Sequence, residues 1–407
     1  MLRTIEPVAR RRLLLVVAAA FVLAAPAGAD SSPLSKRLAT ALAVPHVSQA
    51  RTAALVFDLQ TGTTVFSRHD GLSLAPASNE KLAVTYAALV GLGPEFRIET
   101  DVVGRGEQDG TTWKGSLLLV GHGDPTLSSK GLLSLARQVR AAGVVRVTGA
   151  VFGDESFFDA RRTAPGWKSW FTINESPPLS ALTVDRAVYR GRTSRRPVLS
   201  AALAFRDALR TAGVTVVGGA GIGVDRGDEL PLASIESAPL ASILRSMDRA
   251  SDNFTAELLL KQLGTFVATP GTTAAGAAYV RSTLADAGVP LAGVRIADGS
   301  GLSLLDRVTA REIAAVLQAA WNDPDMRPSF VAALPVAGVN GTLSKRMRRP
   351  PARGHVLAKT GTTANASALS GYVRGRYVFS VLQNGNPVSA LWSRRAQDRF
   401  ATVLAAQ

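Results

Sequence analysis

There is no cysteine in this chain. Its absence excludes a disulfide framework, a thiol nucleophile and any cysteine-ligated metal. Histidine is almost as scarce. His46, His69, His122 and His355 lie far apart, and none has the i, i+4 partner of a helical zinc site. His122, within Gly121-His122-Gly123-Asp124-Pro125, reads as a turn residue, and neither a metal nor another cofactor is expected. Aromatic residues make up 6% and are nowhere interleaved with basic residues along a strand, so nucleic acid is a poor fit as a partner. Acidic residues are outnumbered, 31 against 46 Lys and Arg, for a formal charge of +15. A chain so cationic is drawn to anionic polymers, such as those of a wall, or to a membrane surface. The tightest basic cluster, Lys345, Arg346, Arg348, Arg349 and Arg353, is expected to be an exposed loop.

What is present begins with a leader. Arg10-Arg11-Arg12 precedes an apolar run over 13–25, Pro26 ends it, and Ala27-Gly28-Ala29 offers a small-x-small cleavage site. Residues 1–29 therefore read as a secretory signal peptide, with a retained anchor as the alternative. The run is short for a bilayer span, and no later run is long enough. The mature chain is expected outside the cytoplasmic membrane, periplasmic or wall-associated.

The remaining chain has the composition of a folded protein, 46% hydrophobic and 19% charged. A strand over 53–59, a turn at Gln60-Thr61-Gly62 and a returning strand over 63–68 form an N-terminal hairpin. Residues 80–90 place Leu82, Ala83, Tyr86, Ala87 and Val90 at helical spacing. From 97 to 232 strand-like runs separated by Gly- and Asp-rich turns suggest an inserted α+β domain. Helices return over 240–249, 254–266, 273–287 and 309–321, the last with Thr309 as N-cap. Strands over 355–358, 368–373 and 377–383 and a helix over 388–406 close the chain. One sheet built from both termini follows, in a discontinuous main domain of 30–96 and 233–407.

Three short motifs, each occurring once, carry chemistry: Ser78-Asn79-Glu80-Lys81, Ser251-Asp252-Asn253 and Lys359-Thr360-Gly361. A serine hydroxyl needs a base to act as a nucleophile. On a helix Lys81 stands one turn from Ser78, and burial of its ammonium lowers its pKa toward that of a usable base. Ser251-Asp252-Asn253 alone is equally ordinary helix-cap chemistry. Lys359 adds a cation on a strand, the threonine hydroxyls add donors for a carboxylate, and Gly361 removes a side chain where a substrate backbone could pair.

In this order and context the motifs resemble those of the D-alanyl-D-alanine carboxypeptidase/endopeptidase family, the low-molecular-mass class C penicillin-binding proteins. Gly123-Asp124-Pro125, Asp298-Gly299-Ser300-Gly301-Leu302-Ser303, Leu334-Pro335-Val336-Ala337-Gly338, Ala358 to Thr362 and Leu369-Ser370-Gly371-Tyr372 extend the resemblance over nearly the whole mature chain. It implies a mixed α+β and α/β fold: a penicillin-binding-protein/β-lactamase-like transpeptidase domain, an antiparallel sheet flanked by helices, with an inserted α+β domain. It implies Ser78 as nucleophile, Lys81 as base, Ser251 as proton relay, and Asn253 and Lys359 as further catalytic residues. Thr360, Gly361 and Thr362 would bind substrate, and Asp154 would face the side chain of the stem's diamino acid. The substrate would be a peptidoglycan stem peptide or cross-link, and β-lactams would acylate Ser78. Leu304 stands where many members carry a basic residue. A β-lactamase-like hydrolase and a catalytically idle wall-binding protein are the other readings.

Overall fold

The computed structural model describes residues 32–407, so the leader lies outside the described residues. A five-stranded antiparallel sheet forms the frame, in the order Val356–Thr362, Ala366–Val373, Tyr377–Asn384, Thr52–Asp58, Thr63–Arg68. The two chain ends meet at its centre, where Thr52 pairs with Gln383 and Asp58 with Tyr377. The turn after Asp58 closes because its Oδ1 accepts the Gln60 N–H at 2.8 Å and Gly62 takes a φ of 68°.

The inner strands are buried on both faces because both faces are covered, whereas the edge strand Thr63–Arg68 is largely open. Ala53 and Leu55 pack into the helical layer built on Lys81–Gly91, Asn253–Gly264 and Ala310–Asn322, whereas Ala54 and Val56 pack under Pro33–Leu42 and Ala390–Ala405. The strand period of two sends alternate residues to opposite cores. Thr309 is the N-cap of its helix, its hydroxyl accepting the Glu312 N–H at 3.0 Å.

A second, seven-stranded sheet is built from residues 99–236. The hairpin of Glu99–Asp109 and Thr112–Gly121 runs antiparallel, and Val151–Asp154 adds to it in parallel. Helices Ser129–Ala141 and Pro197–Thr211 cover one face through Leu135, Val139, Phe205 and Leu209. Strand Leu230–Glu236 pairs with Glu99–Asp109, so this sheet continues four residues past the 232 expected from sequence. Only Leu232, Ala233 and Ile235 of that strand pack against the core, too weak a pattern to read. The two connections to the main layer run side by side: the Ile98 N–H donates to Ser237 Oγ, and the Ser237 N–H donates to the Ile98 carbonyl, each at 2.9 Å. No helix among the described residues is long and apolar enough to cross a membrane.

Candidate active site

Ser78 lies in a single 3-10 turn, Ala77–Glu80, that runs into the buried helix Lys81–Gly91. Two other segments approach this turn so closely that only glycine fits. A Cβ on Gly301, whose φ is +79°, would stand 1.9 Å from the Ala77 carbonyl oxygen, and one on Gly361 would stand 2.9 Å from the Pro76 oxygen and 3.0 Å from the Ser78 nitrogen. Gly361 is thus required first by the protein's own backbone, a different reason from the substrate strand expected above.

Lys81 Nζ donates to Asn253 Oδ1 at 2.9 Å and to the Ser300 carbonyl at 2.6 Å, and stands 3.1 Å from Ser78 Oγ. Lys359 Nζ donates to Ser251 Oγ at 2.8 Å and to the Thr360 carbonyl at 3.0 Å. Asn79 Nδ2 ties the Ser78 turn to the strand through the Lys359 carbonyl at 3.1 Å. Both lysines are fully buried. Burial lowers the Lys81 pKa, while Asp298, Asp248, Glu257 and Asp252 pull it back up. Burial, and then the charge of Lys81, push Lys359 down to about 7, against the opposing pull of Asp248.

The Ser-Asp-Asn motif is a cap and a site wall at once. Ser251 ends helix Leu240–Ala250 in the left-handed conformation, φ 58° and ψ 42°. Asp252 then caps Asn253–Gly264 by accepting the Phe254 N–H at 3.2 Å. This tight junction aims the flanking Ser251 and Asn253 side chains at the two lysines.

Thr362 lines a cleft of about 430 Å3 beside Ser78, with Ala77, Leu302, Leu304, Arg307, Lys168, Trp170 and Glu175. Thr360 Oγ1 is held by Thr342 Oγ1 at 2.7 Å. Asp154 is not brought to this cleft. It is buried at the end of its strand, where its two carboxylate oxygens accept the N–H groups of Ser156 at 2.7 Å and Asp225 at 2.6 Å. Backbone donors consume it as a loop pin. The carboxylate that lines the cleft instead is Glu175, in an aperiodic turn that carried no sequence signal. Leu304 is 48% exposed on the cleft wall, and Arg307 stands near it, donating to the Leu304 carbonyl at 2.9 Å. In the basic segment Lys345, Arg348, Arg349 and Arg353 are exposed, but Arg346 is drawn in by Asp398 at 2.7 Å.

The model of the D-Ala-D-Ala carboxypeptidase 3 (S13) family matches residues 34–197 and 188–407. The chain belongs to that family. This S13 chain is accordingly a serine-type D-Ala-D-Ala carboxypeptidase. It is 33% identical to a D-alanyl-D-alanine carboxypeptidase of Actinomadura, over 94% of this chain and 86% of that one. It is 32% identical to a carboxypeptidase of Mycobacterium tuberculosis, over 95% and 87%. Among solved structures, penicillin binding protein 4 of Haemophilus influenzae shares the fold with a TM-score of 0.80 at 22% identity, over 92% of this chain and 98% of that one.

Behind Lys81 this S13 fold buries a group of acids that sequence reasoning missed. Glu257 Oε1 accepts the N–H groups of Gly299 at 3.0 Å and Ser300 at 2.8 Å, which sets the Ser300 carbonyl toward Lys81. Asp298 accepts from Gly301 N and Ser303 N, each at 2.7 Å, and from Trp167 Nε1 at 2.8 Å. Glu80, Asp306 and Glu312 complete the group. Burial, then Glu312, Asp298 and Glu257, raise the Glu80 pKa well above the carboxylate range. Burial, then Asp298, push Glu257 up to about 8, and burial alone pushes Glu312 up to about 8. Raised in this way, the three carboxyls bind their protons more tightly than exposed carboxylates do, which limits their hold on the Lys81 proton. Glu257 was the legible one, since it sits one helical turn beyond Asn253. Among the described residues no cluster of His, Cys, Asp and Glu could hold a metal ion.

Proposed function

We propose that Ser78 is the acylated nucleophile, that Lys81 is its base, and that the substrate is the D-Ala-D-Ala end of a peptidoglycan stem peptide. The observation that carries this is the 3.1 Å approach of Lys81 Nζ to Ser78 Oγ in a site where Lys81 is fully buried. Ser78 Oγ attacks the carbonyl of the penultimate D-Ala as its proton moves to Lys81. The backbone N–H groups of Ser78 and Thr362 receive the oxyanion. The C–N bond breaks, and the terminal D-Ala leaves as its amine takes a proton through Ser251, which Lys359 polarises. Water then hydrolyses the ester, with Lys81 as base. Lys359, Thr360 and Thr362 hold the substrate carboxylate. The same attack at a D-amino-acid-centred cross-link is endopeptidase action. The Haemophilus protein has been solved in complex with a β-lactam, and here a β-lactam would be held as an ester on Ser78.

Mass spectrometry of the intact protein after incubation with benzylpenicillin tests the reading. One drug mass on the wild type and none on Ser78→Ala is expected. Hydrolysed drug with no adduct would favour the β-lactamase reading, and intact drug with no adduct would favour an idle wall-binding protein. Release of D-Ala from a pentapeptide by wild type alone completes the assignment.

The leader pattern supports export to the wall side of the membrane. There the charge has a face. Lys36 and Arg37 on the first helix, Arg394, Arg395 and Arg399 on the last, and the exposed cations of 345–353 surround one core layer. The only acid in these three segments, Asp398, is already paired with Arg346. This face suits an anionic phosphate surface, of wall polymer or lipid headgroups. Retention on such a surface should fall steeply with salt, and salt-insensitive retention would sink the assignment.

A further inference from the structure

One cation touches the catalytic motifs from outside the main domain. Arg186 lies in the inserted region, and its Nη1 and Nη2 donate to the two carboxylate oxygens of Asp252 at 2.7 and 2.8 Å. This is the bidentate geometry that a guanidinium fork matches and an ammonium does not. The guanidinium also lies 5.2 Å above the Phe254 ring. Asp252 is the central residue of the Ser-Asp-Asn turn, between the side chains that face Lys359 and Lys81.

The turn that presents Arg186 is unusual. Asp185, Arg186 and Ala187 have φ values of 46°, 57° and 62°. Three consecutive non-glycine residues in the left-handed region persist only where their surroundings over-determine them. Here the Asp185 N–H donates to the Leu127 carbonyl at 2.9 Å, the Ser129 N–H donates to the Asp185 carboxylate, and Ala187 is buried. The inserted region therefore holds a strained turn whose outward product is one guanidinium on Asp252. A second contact acts in the same direction. The Glu175 carbonyl accepts Asn253 Nδ2 at 3.0 Å, which turns the amide so that Oδ1 meets Lys81.

We infer that Arg186 is a positioning residue for acylation, by which the inserted region fixes the Ser-Asp-Asn turn and neutralises the Asp252 carboxylate beside Lys81. The groups that face Lys81 are Asp248, Asp252, Asp298, Glu257 and Glu80 on the acidic side and Lys359 on the basic side. Asp252 faces Arg186 and Lys81. Without Arg186 one carboxylate is left uncompensated, the protonated form of Lys81 is favoured, and the base becomes available only at higher pH. The inference rests on acylation of Ser78.

The test is the rate of benzylpenicillin adduct formation against pH, in the full chain, for wild type, Arg186→Lys, Arg186→Ala and Arg186→Ala/Asp252→Asn. Arg186→Ala should acylate roughly tenfold more slowly at pH 7, with its acidic limb moved to higher pH. Arg186→Lys restores the charge without the fork. It should return the limb to the wild-type position and recover only part of the rate. Asn still caps the helix, so the double variant should also return the limb. A wild-type rate and limb in Arg186→Ala overturns the inference. So does a loss of rate whose limb stays in place in both Arg186→Ala and Arg186→Lys, which marks a merely structural contact. If Arg186→Ala does not fold, Arg186→Lys decides alone: a full wild-type rate excludes the fork. An absent adduct on the wild type would instead overturn the reading of Ser78, which separates the two failures.

Discussion

The two sheets of this molecule are built to different tolerances. The five-stranded sheet is buried on both faces at its centre, with every residue of Ala366–Val373 and Tyr377–Asn384 inside, and opens only at its edge strand Thr63–Arg68. The seven-stranded sheet packs one face under two helices, carries only a small cluster of Val103, Leu118, Val120 and Phe152 on the other, and ends in a half-exposed strand at Leu230–Glu236. The first sheet holds Lys359 and supports the Ser78 turn, where close-packed neighbours transmit any displacement. The second reaches the chemistry through the segment between its strands, among others at Trp167, Glu175 and Arg186. Reacting groups sit where the interior is most constrained, and the looser region contributes a few aimed contacts.

The contrast can be broken or sharpened by substitution. The largest effect belongs to Lys81→Ala, which should slow penicillin acylation by about a thousandfold and be read directly by adduct mass against time. Gly301→Ala comes next. Its Cβ would stand 1.9 Å from the Ala77 oxygen at a φ of +79°, so acylation should drop by about a hundredfold and stability by about 3 kcal/mol in a denaturant titration. A near-wild-type rate would mean that the Ser78 turn is softer than its packing implies.

Glu312→Gln should act on stability and little on rate. Burial raises its carboxyl from 4.5 to about 8. The folded state holds a proton that the unfolded state has released, so stability is full below pH 4.5 and is lost as pH rises through 8. The variant should melt higher than wild type at pH 8, by about 2 kcal/mol, and match it at pH 4.5. An equal gain at both pH values would show that ionisation plays no part. Trp167→Phe removes the Nε1–H bond to Asp298 and should cost about 1 kcal/mol, with a small loss of acylation rate. The smallest effect is expected at the far hairpin of the inserted region. Lys114 and Asp109 pair at 2.8 Å with half or more of each side chain exposed, and Lys114→Ala should stay within about 0.5 kcal/mol of wild type at an unchanged acylation rate.

Much of the frame could be read in advance. The N-terminal hairpin, the helix after Ser78, the Thr309 cap and the C-terminal strands all carry local period or cap signals, and each lies within a few residues of its expected place. The length of the inserted hairpin is not legible in sequence, because its outer residues from Arg105 to Asp109 are polar and only Trp113, buried at 1% exposure, marks the inner side. Glu175 and Arg186 sat in turns without periodicity. Asp154 is named through the resemblance alone, and its place is fixed by Asp225, 71 residues away.

The motif chemistry was a property of the chain alone. A serine one helical turn before a lysine, a capping turn that exposes a serine and an asparagine, and a lysine on an apolar strand are each local arrangements, and their order pointed to the family. Folding decided which charges those groups would feel. Burial sets the protonation of Lys359, Glu257 and Glu312, and burial exists only once distant segments have packed. Contacts such as Arg186 with Asp252 join positions 66 residues apart. No local pattern encodes them, because they form only when the inserted region is packed against the Ser-Asp-Asn turn.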